Sequence, residues 1–148
     1  MRPPDRREVL GYCLNVHPTQ TLAEARAALL GPARALKRRL SPDQPFAIGL
    51  RLSAEAAAAP DAEHELKAIF DAGGFTAYTM NGFPYGRFHG AGVKDAAYEP
   101  DWTRPERLAY TARLARIMAA LTPEGGFASI STVPGGFAPR LAGRQAAA

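Results

Sequence analysis

The residues best suited to chemistry lie in one run, Asn-Gly-Phe-Pro-Tyr-Gly-Arg-Phe-His-Gly, spanning Asn81 to Gly90. It packs three glycines, a proline, three aromatics and a histidine into ten residues. Glycine lets the backbone turn tightly and approach a ligand closely. Phe83, Tyr85 and Phe88 could wall a pocket, and Asn81, Arg87 and His89 supply polar contacts. The run follows Phe75 to Met80, a short apolar segment that reads as a buried strand. A polar, glycine-rich loop at the carboxyl end of a buried strand is where α/β folds place their sites.

Other polar residues fall at comparable places. Asn15 and His17 follow the apolar run Leu10 to Val16, Arg51 and Ser53 end the run Phe46 to Leu52, and Ser131 and Thr132 end Phe127 to Thr132. Each has two readings. His17 is a ligand for metal or substrate, since neutral imidazole is a common ligand, or it orders the turn at Pro18. His89 is a metal or substrate ligand, or a loop histidine packed between Phe83 and Phe88. Arg51 grips a phosphate or carboxylate bidentately, or makes a structural salt bridge within the rim. Asn81 bonds a substrate hydroxyl, or forms an Asx turn with Gly82. Tyr85 lines the pocket, or packs the loop down. Ser131 binds a ligand, or is one of the small polar residues common at strand ends. His64, between Glu63 and Glu65, reads as a solvated surface residue.

No Gly-x-Ser-x-Gly, P-loop, His-Glu-x-x-His or Cys-x-x-Cys motif is present. The sole cysteine, Cys13, sits in an apolar run and reads as a small buried hydrophobe. Asp95, Glu99 and Asp101 read as a solvated acidic loop. The net charge of +4 favours anionic partners. Its arginines are scattered, however, and lack the aromatic-interleaved stripe of a nucleic-acid module. No leader-like apolar core and no apolar run of about 18 residues is present, so a cytoplasmic location without a membrane span is expected.

These residues need elements to hold them. Thr21 and Glu24 form a capping box before a helix that Gly31-Pro32 should kink or break. Ala54 to Ala59 reads as a helical turn. Asp61 is placed to cap a helix carrying Leu66, Ile69 and Phe70, which Gly73-Gly74 ends. Thr103 and Glu106 suggest another capping box, ahead of an apolar stripe of Tyr110, Leu114, Ile117, Met118 and Leu121; Trp102 and Tyr98 would staple that helix. The order is β-α-β-α-β-α-β, with the spacing of parallel βαβ units. Right-handed crossovers then bring every strand's carboxyl end, and every candidate residue, to one rim.

Five stretches carry a family resemblance: Tyr-Cys-Leu-Asn-Val-His-Pro (12–18), Gly-Leu-Arg-Leu-Ser (49–53), the 81–90 loop, Val-Lys-Asp-Ala-Ala-Tyr-Glu-Pro-Asp-Trp (93–102) and Ser-Ile-Ser-Thr-Val-Pro (129–134). In these the chain resembles the amino-terminal part of the EboE family of ebo-cluster metabolite-traffic proteins. That family is similar to the xylose isomerase-like TIM barrels. The resemblance implies an α/β fold, a partial (half) TIM barrel of about four parallel βα units. Residues 1–9 would be an extension, 10–137 the half-barrel and 138–148 a disordered or aberrant tail. It implies a small polar or isoprenoid-linked metabolite at the rim, held by Asn15, His17, Arg51, Asn81, Tyr85, His89 and Ser131. A divalent metal would be held by His17 and His89 in the full-length family, with the remaining ligands on later strands. A TIM barrel has eight strands in about 250 residues. The expectation is therefore a truncated chain, inactive alone as an isomerase or epimerase, that pairs with a missing carboxyl-terminal half or another copy. The alternatives are a non-catalytic fragment and a basic nucleic-acid-binding module akin to endonuclease IV.

Overall fold

A computed structural model describes residues 9–87 and 97–136. Strands β1 (Gly11–Cys13), β2 (Phe46–Arg51), β3 (Phe75–Asn81) and β4 (Ser129–Ser131) form one sheet in the order β1-β2-β3-β4. All three pairings are parallel. Strand two thus ends one residue earlier than its apolar run suggests, and strand three runs one residue later, to Asn81.

Helix α1 (Leu22–Ala28) runs through a π-helical turn (Leu29–Ala33) into α2 (Arg34–Leu40). The expected interruption at Gly31-Pro32 takes this form because Pro32 has no N–H to give the regular ladder. Both halves of the Thr21–Glu24 capping box are made. Helix α3 (Ala54–Ala58) starts at Ser53, whose side chain accepts from the Ala56 N–H. Helix α4 (Ala62–Gly73) stops at Gly74, which takes the left-handed conformation at φ 61°. Helix α5 (Pro105–Leu121) carries the expected stripe, and Tyr110, Leu114, Ile117, Met118 and Leu121 are all buried.

Strands in sequence order, joined by right-handed crossovers, send every helix to the same face. The core lies between that face and the helices. It joins Phe46, Ile48 and Leu50 of β2 and Phe75, Ala77 and Met80 of β3 to Leu29, Leu66, Phe70, Tyr110 and Leu114. Side chains alternate across a strand, so residues 75, 77 and 80 can share a face only if the phase shifts. A bulge supplies the shift: Ile48 pairs with Ala77 and Gly49 with Thr79, leaving Tyr78 as the extra residue.

The opposite face carries rows of small residues. Gly11 pairs with Ala47 and that with Thr76; Cys13, Gly49, Thr79 and Ser129 form the next row; Arg51, Asn81 and Ser131 end it. Cys13, Thr79, Ser129 and Ser131 are exposed. Among the described residues no helix covers this inner face, and none is long and apolar enough to cross a membrane.

Several expectations need correction. Strand one ends at Cys13, and Leu14–Val16 form a 3₁₀ turn instead. Cys13 is exposed because it sits on an edge strand and on the uncovered face. Strand four is shorter than its apolar run, and Phe127 projects into solvent. Asp61 occupies the cap position of α4 but its side chain makes no capping bond, since a left-handed backbone (φ 56°) aims it elsewhere. The Thr103 capping box does not form. Pro105 starts α5, and the Thr103 hydroxyl turns back to Asp101 Oδ1 at 2.5 Å. Asp101 is accordingly buried rather than solvated.

Candidate functional site

The carboxyl ends of the strands do converge. Asn81 and Ser131 close β3 and β4 side by side, with Ser131 Oγ donating to Asn81 Oδ1 at 3.1 Å. One residue on, Gly82 donates its N–H to the Ser131 carbonyl at 2.8 Å. A Cβ at residue 82 would stand 2.6 Å from that carbonyl oxygen, so this approach requires glycine. The Asn81–Ser131 pair is solvent-accessible and sits on the inner face, where two short polar side chains present hydrogen-bonding groups together.

Arg51 ends β2 and is fully buried, 1% exposed. Its Nη1 donates to the Thr19 hydroxyl (3.1 Å) and carbonyl (3.3 Å), and its Nη2 to the Pro84 (3.2 Å) and Gly86 carbonyls. One guanidinium thus ties the segment after β1 to the loop after β3. Ser53 reinforces the tie through its hydroxyl to the Gln20 carbonyl, and Ala54 donates its N–H to the Tyr85 carbonyl at 2.8 Å. The planar fork of arginine suits such multi-point gripping.

A second buried arginine, Arg107 on α5, holds the two ends of the same loop. Its Nε donates to the Pro100 carbonyl at 2.7 Å and its Nη1 to the Gly82 carbonyl at 2.9 Å. Its Nη2 is buried with no hydrogen-bond partner among the described residues. The guanidinium carbon lies 5.8 Å from the Tyr85 ring centre and 5.5 Å from that of Tyr110, within cation–π range. Tyr85 and Tyr110 meet edge to face at 5.1 Å. Tyr85 therefore anchors the loop to the core. The Tyr110 hydroxyl donates to the Leu52 carbonyl at 2.5 Å, and desolvation pushes its pKa up to about 12 against the pull of Arg51 and Arg107. Desolvation also lowers the pKa of both arginines.

His17 is half-buried, with its Nε2 2.7 Å from the Tyr12 hydroxyl. Asn15 lies in the 3₁₀ turn beside it, half-buried. His89 and Asp95 lie outside the described residues. Among the described residues no three His, Cys, Asp or Glu side chains gather to hold a metal ion. His17 has its ring nitrogen at the Tyr12 hydroxyl, and its expected companion His89 falls outside the described residues. His64 is exposed, as expected. Trp102 does not staple α5 but reaches the segment after β4, with Nε1 donating to the Val133 carbonyl at 3.0 Å.

Arg107 was not among the candidates read from the sequence. The signal was available: residue 107 stands three before Tyr110 and seven before Leu114, on the same stripe of α5. A reading that admits only apolar residues to a buried stripe passes over it. Set beside family models, curated proteins and solved structures, the chain matches none of them.

Proposed function

We propose that the chain is a sugar-isomerase-like half-barrel of the metabolite-traffic type that binds a small, hydroxyl-bearing metabolite at the carboxyl-terminal rim of its sheet. The observation that supports this most is the Asn81–Ser131 pair. Two short polar side chains sit together, accessible, at the ends of adjacent parallel strands, where open α/β sheets hold their ligands. An amide and a hydroxyl offer both donors and acceptors, the complement of a polyol or sugar. The two described ends of the neighbouring loop are held in place before any ligand arrives, because Arg51 and Arg107 bind four carbonyls there, at residues 82, 84, 86 and 100. Such preorganisation lowers the ordering cost of binding. His17 and Asn15 complete the rim on the β1 side.

The role proposed is binding: the Asn81 amide and the Ser131 hydroxyl, which carry the reading, supply hydrogen bonds rather than the base that proton abstraction beside a carbonyl needs. A calorimetric screen of linear polyols, aldoses, their phosphates and isoprenyl phosphates tests the reading. Binding of one class, weakened at least tenfold by both Asn81→Ala and Ser131→Ala with the fold intact, is expected. Binding unaffected by either substitution would refute it. Titration with Mn2+ or Zn2+ tests the metal expectation separately.

A further inference from the structure

Helix α1, the π-helical turn and α2 run without a break from Leu22 to Leu40. Eleven of those residues are exposed, and every one of them is arginine or apolar. Arg26, Leu30, Arg34 and Arg38 stand four apart along one line of the outer face, neighbours on successive turns. A row of alanine and glycine runs beside them and ends in Arg39. The single acid in the stretch, Glu24, is half-buried and committed to the capping box. Other outer faces mix both signs, as α4 does with Glu63, Lys67 and Asp71, where Lys67 pairs with Asp71 at 2.5 Å. On this helix only Arg26 has a carboxylate, Glu65 at 3.6 Å. Arg34, Arg38 and Arg39 make no ion pair among the described residues, and Lys37 is turned to the carbonyls of Ser41 and Pro42. Like charges one turn apart repel. Arginines that read as scattered along the sequence are thus gathered by the fold on one side of one helix.

The geometry points to an anionic lipid surface as the partner of this face. Arginine forks grip phosphate oxygens bidentately. Their stems lie along apolar surface while the charged heads stay at the headgroup level. The residues between them are small apart from Leu30, which is exposed by 44%, so a flat surface can come close along the helix. Basic side chains set among aliphatic ones are the surface chemistry of helices that lie in the headgroup layer. Single-stranded nucleic acid is held instead on aromatic platforms where bases stack, and no aromatic residue lies between Leu22 and Leu40. Lying on a bilayer needs no membrane-crossing helix, and none is present among the described residues. The inference rests on this helix face alone and stands apart from the ligand reading.

Flotation of the wild-type chain with vesicles of phosphatidylglycerol and phosphatidylcholine in equal parts tests it, against vesicles of phosphatidylcholine alone. Binding to the mixed vesicles only is expected. Each arginine near an anionic surface contributes roughly fivefold in affinity. Arg34→Ala, Arg38→Ala and Arg39→Ala together should therefore weaken binding on the order of 100-fold. The three side chains are exposed and alanine favours helix, so the urea midpoint should not fall. Arg34→Lys, Arg38→Lys and Arg39→Lys together should keep most of the binding, because the charge remains. The control removes the same charge from α5, through Arg104→Ala, Arg113→Ala and Arg116→Ala, all exposed, and should also keep most of it. A wild-type chain that ignores the mixed vesicles would overturn the inference. So would an α5 triple variant that loses as much as the α2 triple, since net charge rather than this face would then be at work. Tighter binding of single-stranded RNA or polyglutamate than of the mixed vesicles would assign the face to another class of partner.

Discussion

Replacing Arg107 with methionine removes the loop's clamp while keeping most of its bulk. The wild-type guanidinium meets the Gly82 carbonyl at 2.9 Å and the Pro100 carbonyl at 2.7 Å. Gly82 is buried, so its carbonyl loses a partner that water does not easily replace, at about 1–3 kcal/mol. Pro100 is half-buried, and water can serve its carbonyl, so that loss is about 1 kcal/mol or less. The contacts over Tyr85 and Tyr110 contribute on the order of 0.5–1 kcal/mol each. Against these, methionine removes the partnerless Nη2 and relieves the desolvation that already lowers the arginine's pKa, a gain of about 1–3 kcal/mol.

The balance is a net loss of about 2 kcal/mol, with wide spread because buried charges are costly to keep as well as to break. Urea unfolding should show the midpoint falling by about 1 M, given an m-value of about 1–3 kcal/mol/M. The loss is local to the two segments the guanidinium joins, at Gly82 and at Pro100. Amide exchange at Gly82 and Trp102, both backbone donors beside those segments, should therefore accelerate in the folded variant. A midpoint unchanged or raised, with exchange there unchanged, would mean the buried arginine is a burden that better packing relieves, and the clamp argument would fail.

Three further outcomes follow from the same geometry. Tyr110 is held up to about 12 by burial, above its ordinary 10.0, so folding favours the neutral phenol. Stability is full below pH 10 and declines between pH 10 and 12, by at most roughly 3 kcal/mol. Tyr110→Phe should flatten that limb in urea titrations at graded alkaline pH; the same limb in both proteins would contradict it. Gly82→Ala drives a Cβ to within 2.6 Å of the Ser131 carbonyl and should cost about 1–3 kcal/mol. Amide exchange at residue 82 and along β4 should accelerate, and unchanged protection there would count against the close approach. Arg51→Met should separate the Thr19 segment from the Pro84–Gly86 turn, read as faster exchange at Ala54, whose N–H bonds the Tyr85 carbonyl; slow exchange there would show that Ser53 alone suffices.

The parallel order and the rim were legible because they depend on local signals. Alternating apolar runs and helical stripes mark βα units, and chirality alone then puts Asn81 and Ser131 at one edge. The capping box at Thr21 and the glycine stop at Gly74 are equally local, and both formed. The Thr103 box failed for a reason two residues away, where Pro105 competes to start the helix. Arg107 was passed over and Asp101 was read as solvated because burial of a charge is decided by what lies across the fold. Nothing near residue 107 in the chain announces the carbonyls of Gly82 and Pro100. The partners of Arg51 were hidden for the same reason. Its position at the rim followed from the strand, but its four oxygens come from segments after β1 and β3.

Cys13 and Phe127 failed differently. Both sit in apolar runs that read as buried strand, and both are exposed. Apolar pattern reports the surface a sequence is built to bury, not where in the sheet that surface falls. Residues that read as core but stand in solvent therefore mark where no described residue covers them. Cys13 lies on the inner face at the β1 edge, and Phe127 lies at the amino-terminal end of the sheet, beside Leu10. Val16, in the same apolar run as Cys13, is also exposed, by 66%, in the turn after β1. Exposure here follows position at the ends and edge of the sheet, which the apolar pattern of a run does not encode.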